Sequence, residues 1–295
     1  MRVLNLSKSI SVPQSLVMRY QRFSFPAGEE HIKIEQEDQY ILNKVIIASN
    51  MVTSSDIMTT FLATDAIRKM FPKISVELLA PYFPYARQDR YMVNGEPLSI
   101  KVISNLVNTM NYTTVHVLDP HSDVTSALVN NIKIIDNFPF INMVYKNIDC
   151  TSKYKVCVVS PDAGFEKKLS KIVTKMNIDG NNIIYGTKKR DVSTGKLSGF
   201  GFNGDVNNKT CLILDDICDS GGTFIGLAQK LREGGAKQIH LAISHGIFSK
   251  GVEHLLDNGI DYVYTTDSCF SSSKTDYKNR FNVLRINEFN NIFKD

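Results

Sequence analysis

The sequence predicts an α/β protein with largely parallel sheets, divided into two domains, and three observations carry that expectation. Short apolar runs alternate with longer helical stretches along the chain, the pattern of parallel strands covered by helices. Strands in both halves run into polar, acid-bearing loops: Asp119-Pro120-His121 in the first, Ser160-Pro161-Asp162 and Asp215-Asp216 in the second. At 295 residues the chain exceeds a single domain of about 150 residues, so two are expected.

In order, the first expected strand is Lys44–Ser49, an apolar run around Val45, Ile46 and Ile47, followed by a helix over Asp56–Met70. Ser75–Leu79 and Thr114–Leu118 are the next strands, with a helix over Ser99–Met110 between them. Val156–Ser160 opens the second half as a short buried strand. Thr210–Leu214, Ile239–Ser244 and Asp261–Thr265 follow, separated by helices over Phe224–Glu233 and Val252–Asp257. A boundary near residues 137–150 gives domains of 1–140 and 141–295. Residues 186–208 carry five glycines with little apolar periodicity and read as a long loop, either functional or disordered, with room for a short hairpin.

Composition narrows the function. With 43% hydrophobic and 22% charged residues the chain buries an ordinary core. A formal charge of +4 with no long basic run suits phosphorylated small molecules and argues against a nucleic-acid partner. No apolar stretch approaches the roughly 18 residues of a membrane span, and the first residues lack the apolar core of a secretory signal. Five cysteines without a CxxC pair argue against a disulfide framework or a zinc site and fit a reducing cytoplasm.

Residues 210–235 are the strongest local signal. Phe224, Leu227, Ala228 and Leu231 repeat at helical spacing, and Gly234-Gly235 supply a stop. Between strand and helix stand Asp219, Ser220, Gly221, Gly222 and Thr223. Glycines let backbone N–H groups turn toward one point, the helix N-terminus adds its dipole, and two hydroxyls add donors, which together suit a phosphate monoester. Asp215 and Asp216 suit a vicinal diol such as a ribose face. The competing reading is an acidic turn that caps a helix. No GxxxxGK[ST] motif occurs, so an ordinary P-loop does not account for the segment.

The stretch Asp215-Asp216-Ile217-Cys218-Asp219-Ser220-Gly221-Gly222-Thr223 resembles the PRPP-binding loop of the phosphoribosyltransferase-like fold. Pro81-Tyr82-Phe83-Pro84-Tyr85-Ala86-Arg87-Gln88-Asp89-Arg90 closely resembles a segment of the PRPP synthetases, the ribose-phosphate diphosphokinases. Phe25-Pro26-Ala27-Gly28-Glu29 is similar to that family's F-x-D/N-G-E adenine motif. Val159–Gly164 and Ser244–Ser249 match its VSPDAG and THG(V/I)FS segments. The ordered motifs span about residues 20 to 270.

That resemblance implies two similar phosphoribosyltransferase-like domains and transfer of the β,γ-diphosphoryl group of Mg-ATP to the C1 hydroxyl of ribose 5-phosphate. It implies ATP contacts from Phe25, Ala27, Gly28, Glu29, Arg87 and Gln88 on the 1–140 side. It implies ribose 5-phosphate contacts from Arg190, Asp215, Asp216, Asp219, Ser220, Gly221, Gly222 and Thr223 on the 141–295 side. Lys188 and Arg190 align with the catalytic positions of a mobile K-x-R loop, and His121 and Asp162 with contacts to Mg2+. Read without the resemblance, Lys188-Lys189-Arg190 is a solvated basic patch and a lone histidine is hydrogen-bonded structure. Tyr82, Phe83 and Tyr85 read as packing residues, and His245 as a structural strand end. The family also implies a homo-oligomer with the ATP site at a subunit interface.

Three departures stand out. Ala27 replaces the motif's acid or amide, and Met92 stands where many members place an acid. Ser122–Ala127 replaces a Q-I-Q-G-F-F segment tied to hexamer contacts and effector control. Two rivals remain at this level: a non-catalytic regulatory subunit, and a phosphoribosyltransferase that consumes PRPP.

Overall fold

The structure, a computed structural model, describes residues 1–35, 42–190, 197–270 and 279–294, with the side chains of 188–190 and 197–198 outside the described set. The chain folds as two units, Met1–Asp136 with Asp267–Ser271 and Arg285–Asp295, and Asn137–Thr266 with Ser272–Leu284.

In the first unit, among the described residues, a five-stranded sheet has the order β1 (Arg2–Asn5), β4 (Lys44–Ala48), β5 (Ser75–Leu79), β6 (Thr114–Leu118) and β7 (Ile132–Ile135). Every pairing in it is parallel. A separate antiparallel ribbon joins β2 (Tyr20–Ser24) to β3 (Glu30–Ile34). Helices α1 (Ser54–Met70), α2 (Ser99–Thr109) and α3 (Asp123–Leu128) lie between the strands in sequence. Thr53 starts α1 with a reciprocal cap: its hydroxyl accepts from the Asp56 amide at 3.1 Å and its own amide donates to the Asp56 carboxylate at 3.2 Å. Ala63 and Ile67 of α1 and Ile100, Ile103 and Val107 of α2 are buried in the same core as Val45, Ile47, Val76 and Leu78. A second core joins Ile46, Leu79, Leu118 and Ile135 to Ile286, Ile292 and Phe293 from the chain's end.

The second unit begins with α4 (Phe138–Thr151). Its seven-stranded sheet, among the described residues, has the order β10 (Leu197–Asn203), β9 (Ile183–Arg190), β8 (Val156–Ser160), β11 (Thr210–Cys218), β12 (Gln238–Gly246), β13 (Tyr262–Thr266) and β14 (Phe281–Leu284). All neighbours are parallel except β9 and β10. α5 (Glu166–Met176), α6 (Gly222–Glu233) and the short α7 (Glu253–Leu256) complete the unit. After β8 the chain goes to one side, then returns past it to β11, so β8 and β11 flank a topological switch point. Ligands of such sheets bind outside the carboxyl ends of the strands there.

Four expectations are refined. The units divide between Asp136 and Asn137, at the start of the 137–150 span, and most of that span is α4: Phe140, Ile141, Val144 and Ile148 make one buried face and Pro139 sits in the first turn. Residues 267–271 and 285–295, assigned to 141–295, belong with the first unit. The Asp267 carboxylate explains this, accepting from the Ser11 amide at 2.9 Å and the Ile286 amide at 2.8 Å. The short hairpin allowed for within the 186–208 loop is present and takes up much of it, β9 pairing antiparallel with β10 from Tyr185↔Asn203 to Arg190↔Leu197, with 191–196 outside the described residues. The strand expected over Thr210–Leu214 continues to Cys218, because its pairing with β12 extends to Cys218↔Gly246.

Candidate active site

In the second unit the acid pair belongs to the carboxyl end of β11, and the glycine loop follows directly. Gly221 has φ +84° and serves as the N-cap of α6. The left-handed backbone calls for glycine, and a Cβ there would lie 2.5 Å from Leu255 Cδ2, so that side chain would have to shift. The loop base is tied down by the Cys218 carbonyl, which accepts from the amides of Ile247 at 2.9 Å and Phe248 at 3.2 Å. Asp219, Ser220, Gly221, Gly222 and Thr223 thus sit together where a strand delivers its backbone to a helix N-terminus, the arrangement that accepts an anion.

Asp162 follows β8 on the other side of the switch point. Its carboxylate accepts from the Gly164 amide at 2.9 Å, and the Ser160 hydroxyl donates to its carbonyl at 2.8 Å. Gly186 of β9 lies against this turn: a Cβ would meet the Ser160 and Pro161 carbonyl oxygens at 2.6 and 2.7 Å. Burial first, then the charge of Asp216 and a hydrogen bond with it, push the Asp215 carboxyl well above the ordinary carboxylate range, and Asp162 adds to the effect. Asp162, Asp215 and Asp216 are therefore one interacting cluster. Lys168 of α5 faces it, with Nζ 3.5 Å from Asp216 Oδ2.

In the first unit, residues 80–90 follow β5. Phe83 and Ala86 are buried in the core, whereas Arg87 and Gln88 are exposed. Tyr85 has φ +58° and is 43% exposed, so of the three aromatics expected to pack, Phe83 does so fully and Tyr85 does not. The Asp119–His121 turn follows β6, with the Asp119 amide donating to the Ile135 carbonyl at 3.1 Å. Against a burial penalty, the Ser122 hydroxyl, Arg90 and His121 hold the Asp89 carboxyl below its ordinary range. The ARQD segment and the His121 turn are thereby brought together.

Phe25 to Glu29 form the connection of the β2–β3 ribbon. The Gly28 amide donates to the Phe25 carbonyl and the Phe25 amide to the Glu29 carbonyl, both at 2.8 Å. Pro26 occupies the favoured first corner of the turn, and Gly28, at φ +90°, takes the left-handed position. Ala27 and Glu29 are exposed.

His121 lies in the first unit and Asp162 in the second. Lys188 and Arg190 are at the end of β9, their backbones paired with Phe200 and Leu197, and their side chains lie outside the described residues. His245 is 2% exposed in β12, a structural position as expected. Sequence reasoning missed Lys168, whose only signal was its place six residues after Asp162. It also missed Asp89 as the partner of the His121 turn.

Among the described residues, no group of three or more His, Cys, Asp or Glu side chains is arranged to hold a metal alone. The donor set nevertheless fits Mg2+. Asp162 is a hard oxygen donor beside the negative Asp215–Asp216 pair, a setting that favours a dication, and Mg2+ commonly takes one or two protein ligands with substrate phosphates completing its shell.

Comparison with known proteins agrees with this geometry. Residues 7–110 match the family described as the N-terminal domain of ribose phosphate pyrophosphokinase, and residues 167–278 match the phosphoribosyl transferase domain. A ribose-phosphate pyrophosphokinase of Thermoplasma volcanium is 31% identical over 247 residues, covering 83% of this chain and 81% of the relative. That of Mycoplasma pneumoniae is 28% identical over 293 residues, covering 96% and 85%. The crystal structure of phosphoribosylpyrophosphate synthetase from Mycobacterium smegmatis superposes with a TM-score of 0.76 at 23% identity, covering 94% of this chain and 91% of that one, a likeness of fold. With sheet, loop and relatives in agreement, the chain belongs to the ribose-phosphate pyrophosphokinase family and is an enzyme of that class.

Proposed function

We propose that the protein transfers the β,γ-diphosphoryl group of Mg-ATP to the C1 hydroxyl of ribose 5-phosphate, giving PRPP and AMP. The observation that carries this reading is the acid-led glycine loop at the carboxyl end of β11, in a chain that also has the ARQD segment. The backbone amides and hydroxyls of 219–223 would bind the 5-phosphate, and Asp215 and Asp216 would accept from the ribose 2- and 3-hydroxyls. Arg87 offers a planar fork of donors to ATP phosphates, Gln88 donates and accepts, and the exposed Phe25 stacks on the base with Gly28 and Glu29 shaping the turn around it. Lys188 and Arg190 would offset charge on the transferring group, so that positioning and charge stabilisation supply most of the acceleration. His121 and Asp162 would hold Mg2+, which when bound screens the charge of the ATP phosphates.

Among the described residues no helix is long and apolar enough to cross a membrane. Our reading adds a cytoplasmic homo-oligomer with the nucleotide site at a subunit interface and no nucleic-acid partner. The test is incubation with ATP, Mg2+ and ribose 5-phosphate, separating nucleotides and sugar phosphates by chromatography. AMP and PRPP should form together and only when both substrates are present. Absence of AMP would leave a non-catalytic subunit, and PRPP consumption with a free base would leave a transferase. A Lys188→Ala variant should lose most of kcat and keep ribose 5-phosphate binding; near-normal turnover would remove Lys188 from the mechanism.

A further inference from the structure

The β2–β3 ribbon presents more aromatic surface than its turn motif accounts for. Phe23 pairs directly opposite His31. Strand alternation puts Phe23 and His31 on one face, while Ile32 and Ile34 on the other are buried in the core shared with α1. The rings of Phe23 and Phe25 meet edge to face with centroids 5.3 Å apart, and the His31 ring lies 5.0 Å from Phe23 and 5.4 Å from Phe25. Phe23 and Phe25 are each 45% exposed, and His31 is exposed as well. A contiguous apolar patch open to water marks a binding surface.

The ribbon's inner face is fixed. Arg22 bridges Glu30 at 3.2 Å and Asp56 of α1 at 3.0 Å, and donates to the Ser55 hydroxyl at 2.5 Å. The Thr59 hydroxyl of α1 donates to Glu30 at 3.3 Å. The ribbon that carries the three rings is therefore anchored before any ligand arrives, which lowers the ordering cost of binding.

We propose that Phe23 and His31 complete, with Phe25, a three-ring platform for the purine base of the nucleotide, and that His31 is its specificity-determining residue. The proposal rests on the reading above of this ribbon as part of the ATP site. Position 27 carries only a methyl group where the family motif has an acid or amide. An imidazole restores what is missing, since it offers a ring face for stacking and nitrogens that donate to or accept from the edge of a base.

The experiment is calorimetric titration of the full-length protein with α,β-methylene-ATP, whose α–β bridge cannot be cleaved, alongside KM and kcat for ATP. His31→Ala and Phe23→Ala should each weaken binding about tenfold, within the range of one lost base–aromatic contact. The loss should fall on KM for ATP more than on kcat. His31→Phe, which keeps a ring and removes its nitrogens, should regain most affinity while discriminating less between adenine and guanine analogues. Unchanged affinity in His31→Ala, or subunit dissociation without loss of nucleotide affinity, would overturn the platform. If wild type makes AMP and PRPP while His31→Ala binds as tightly, the platform alone falls. If wild type neither binds the analogue nor makes AMP, the functional reading falls with it.

Discussion

A side chain at position 221 meets two obstacles, a φ of +84° and Leu255. Gly221→Ala should cost about 1–2 kcal/mol from backbone strain alone, lowering the Tm by a few degrees. KM for ribose 5-phosphate should rise with it, as thermal melts and steady-state kinetics would show. An unchanged KM would mean that the loop does not hold the phosphate. The glycine pair was legible in the sequence because two glycines between an apolar run and a helical pattern free the backbone to turn its amides on a ligand. Leu255 and Lys168 were not, since their roles depend on chain segments that meet only after folding. Asp267 is another such residue. Burial pushes its carboxyl from an ordinary value of 3.8 up to about 6. A raised folded-state value means stability fully present below the unfolded value and lost as pH rises through the folded one. Relative to Asp267→Asn, wild type should therefore lose thermal stability between pH 3.8 and about 6, with little further change above. Denaturation across that window checks it, and a flat difference would contradict the assignment.

A two-stranded ribbon alone is marginally stable in water, so β2–β3 depends on its attachment to α1. Arg22 is the principal ionic tie. Arg22→Ala should sharply reduce amide exchange protection in residues 20–34 while leaving the second unit's sheet unaffected, as hydrogen exchange with mass spectrometry would resolve. Uniform loss in both units would instead indicate global destabilisation. Sequence reasoning found the turn motif but not these strands, because only Ile32 and Ile34 show apolar alternation. The β9–β10 hairpin was read mainly as loop for a related reason. Gly186 and Gly201 look like loop residues, yet each stands inside a strand where a Cβ would strike a neighbour. Long apolar runs such as Val156–Ser160 and Gln238–Gly246 were legible because full burial leaves no polar face to confuse the pattern.

For the molecule as a whole, alternating strands and helices predicted both parallel sheets, and chain length predicted two units. The return of the C-terminal residues to the first unit was not legible, because it depends on the Asp267 carboxylate's bonds to Ser11 and Ile286 and on Ile286, Ile292 and Phe293 joining a core with Ile46 and Leu118. The first unit also carries an apolar groove of about 460 Å³, lined by Ile57, Met58, Phe61, Val102 and Leu106 among others. Met58 and Val102 are 51% and 56% exposed. If the proposed homo-oligomer uses this face, a second copy would cover it. Val102→Asp should shift sedimentation toward the monomer, whereas an unchanged profile would locate the interface elsewhere. The most direct test of the central claim follows oxygen and phosphorus through the reaction, using ribose 5-phosphate labelled with heavy oxygen at C1 and phosphorus NMR. AMP should form in step with PRPP, with the label retained in the bridge between C1 and the new diphosphate. Release of ADP with a singly phosphorylated C1, or an unlabelled bridge while the remaining ribose 5-phosphate still carries the label, would contradict it.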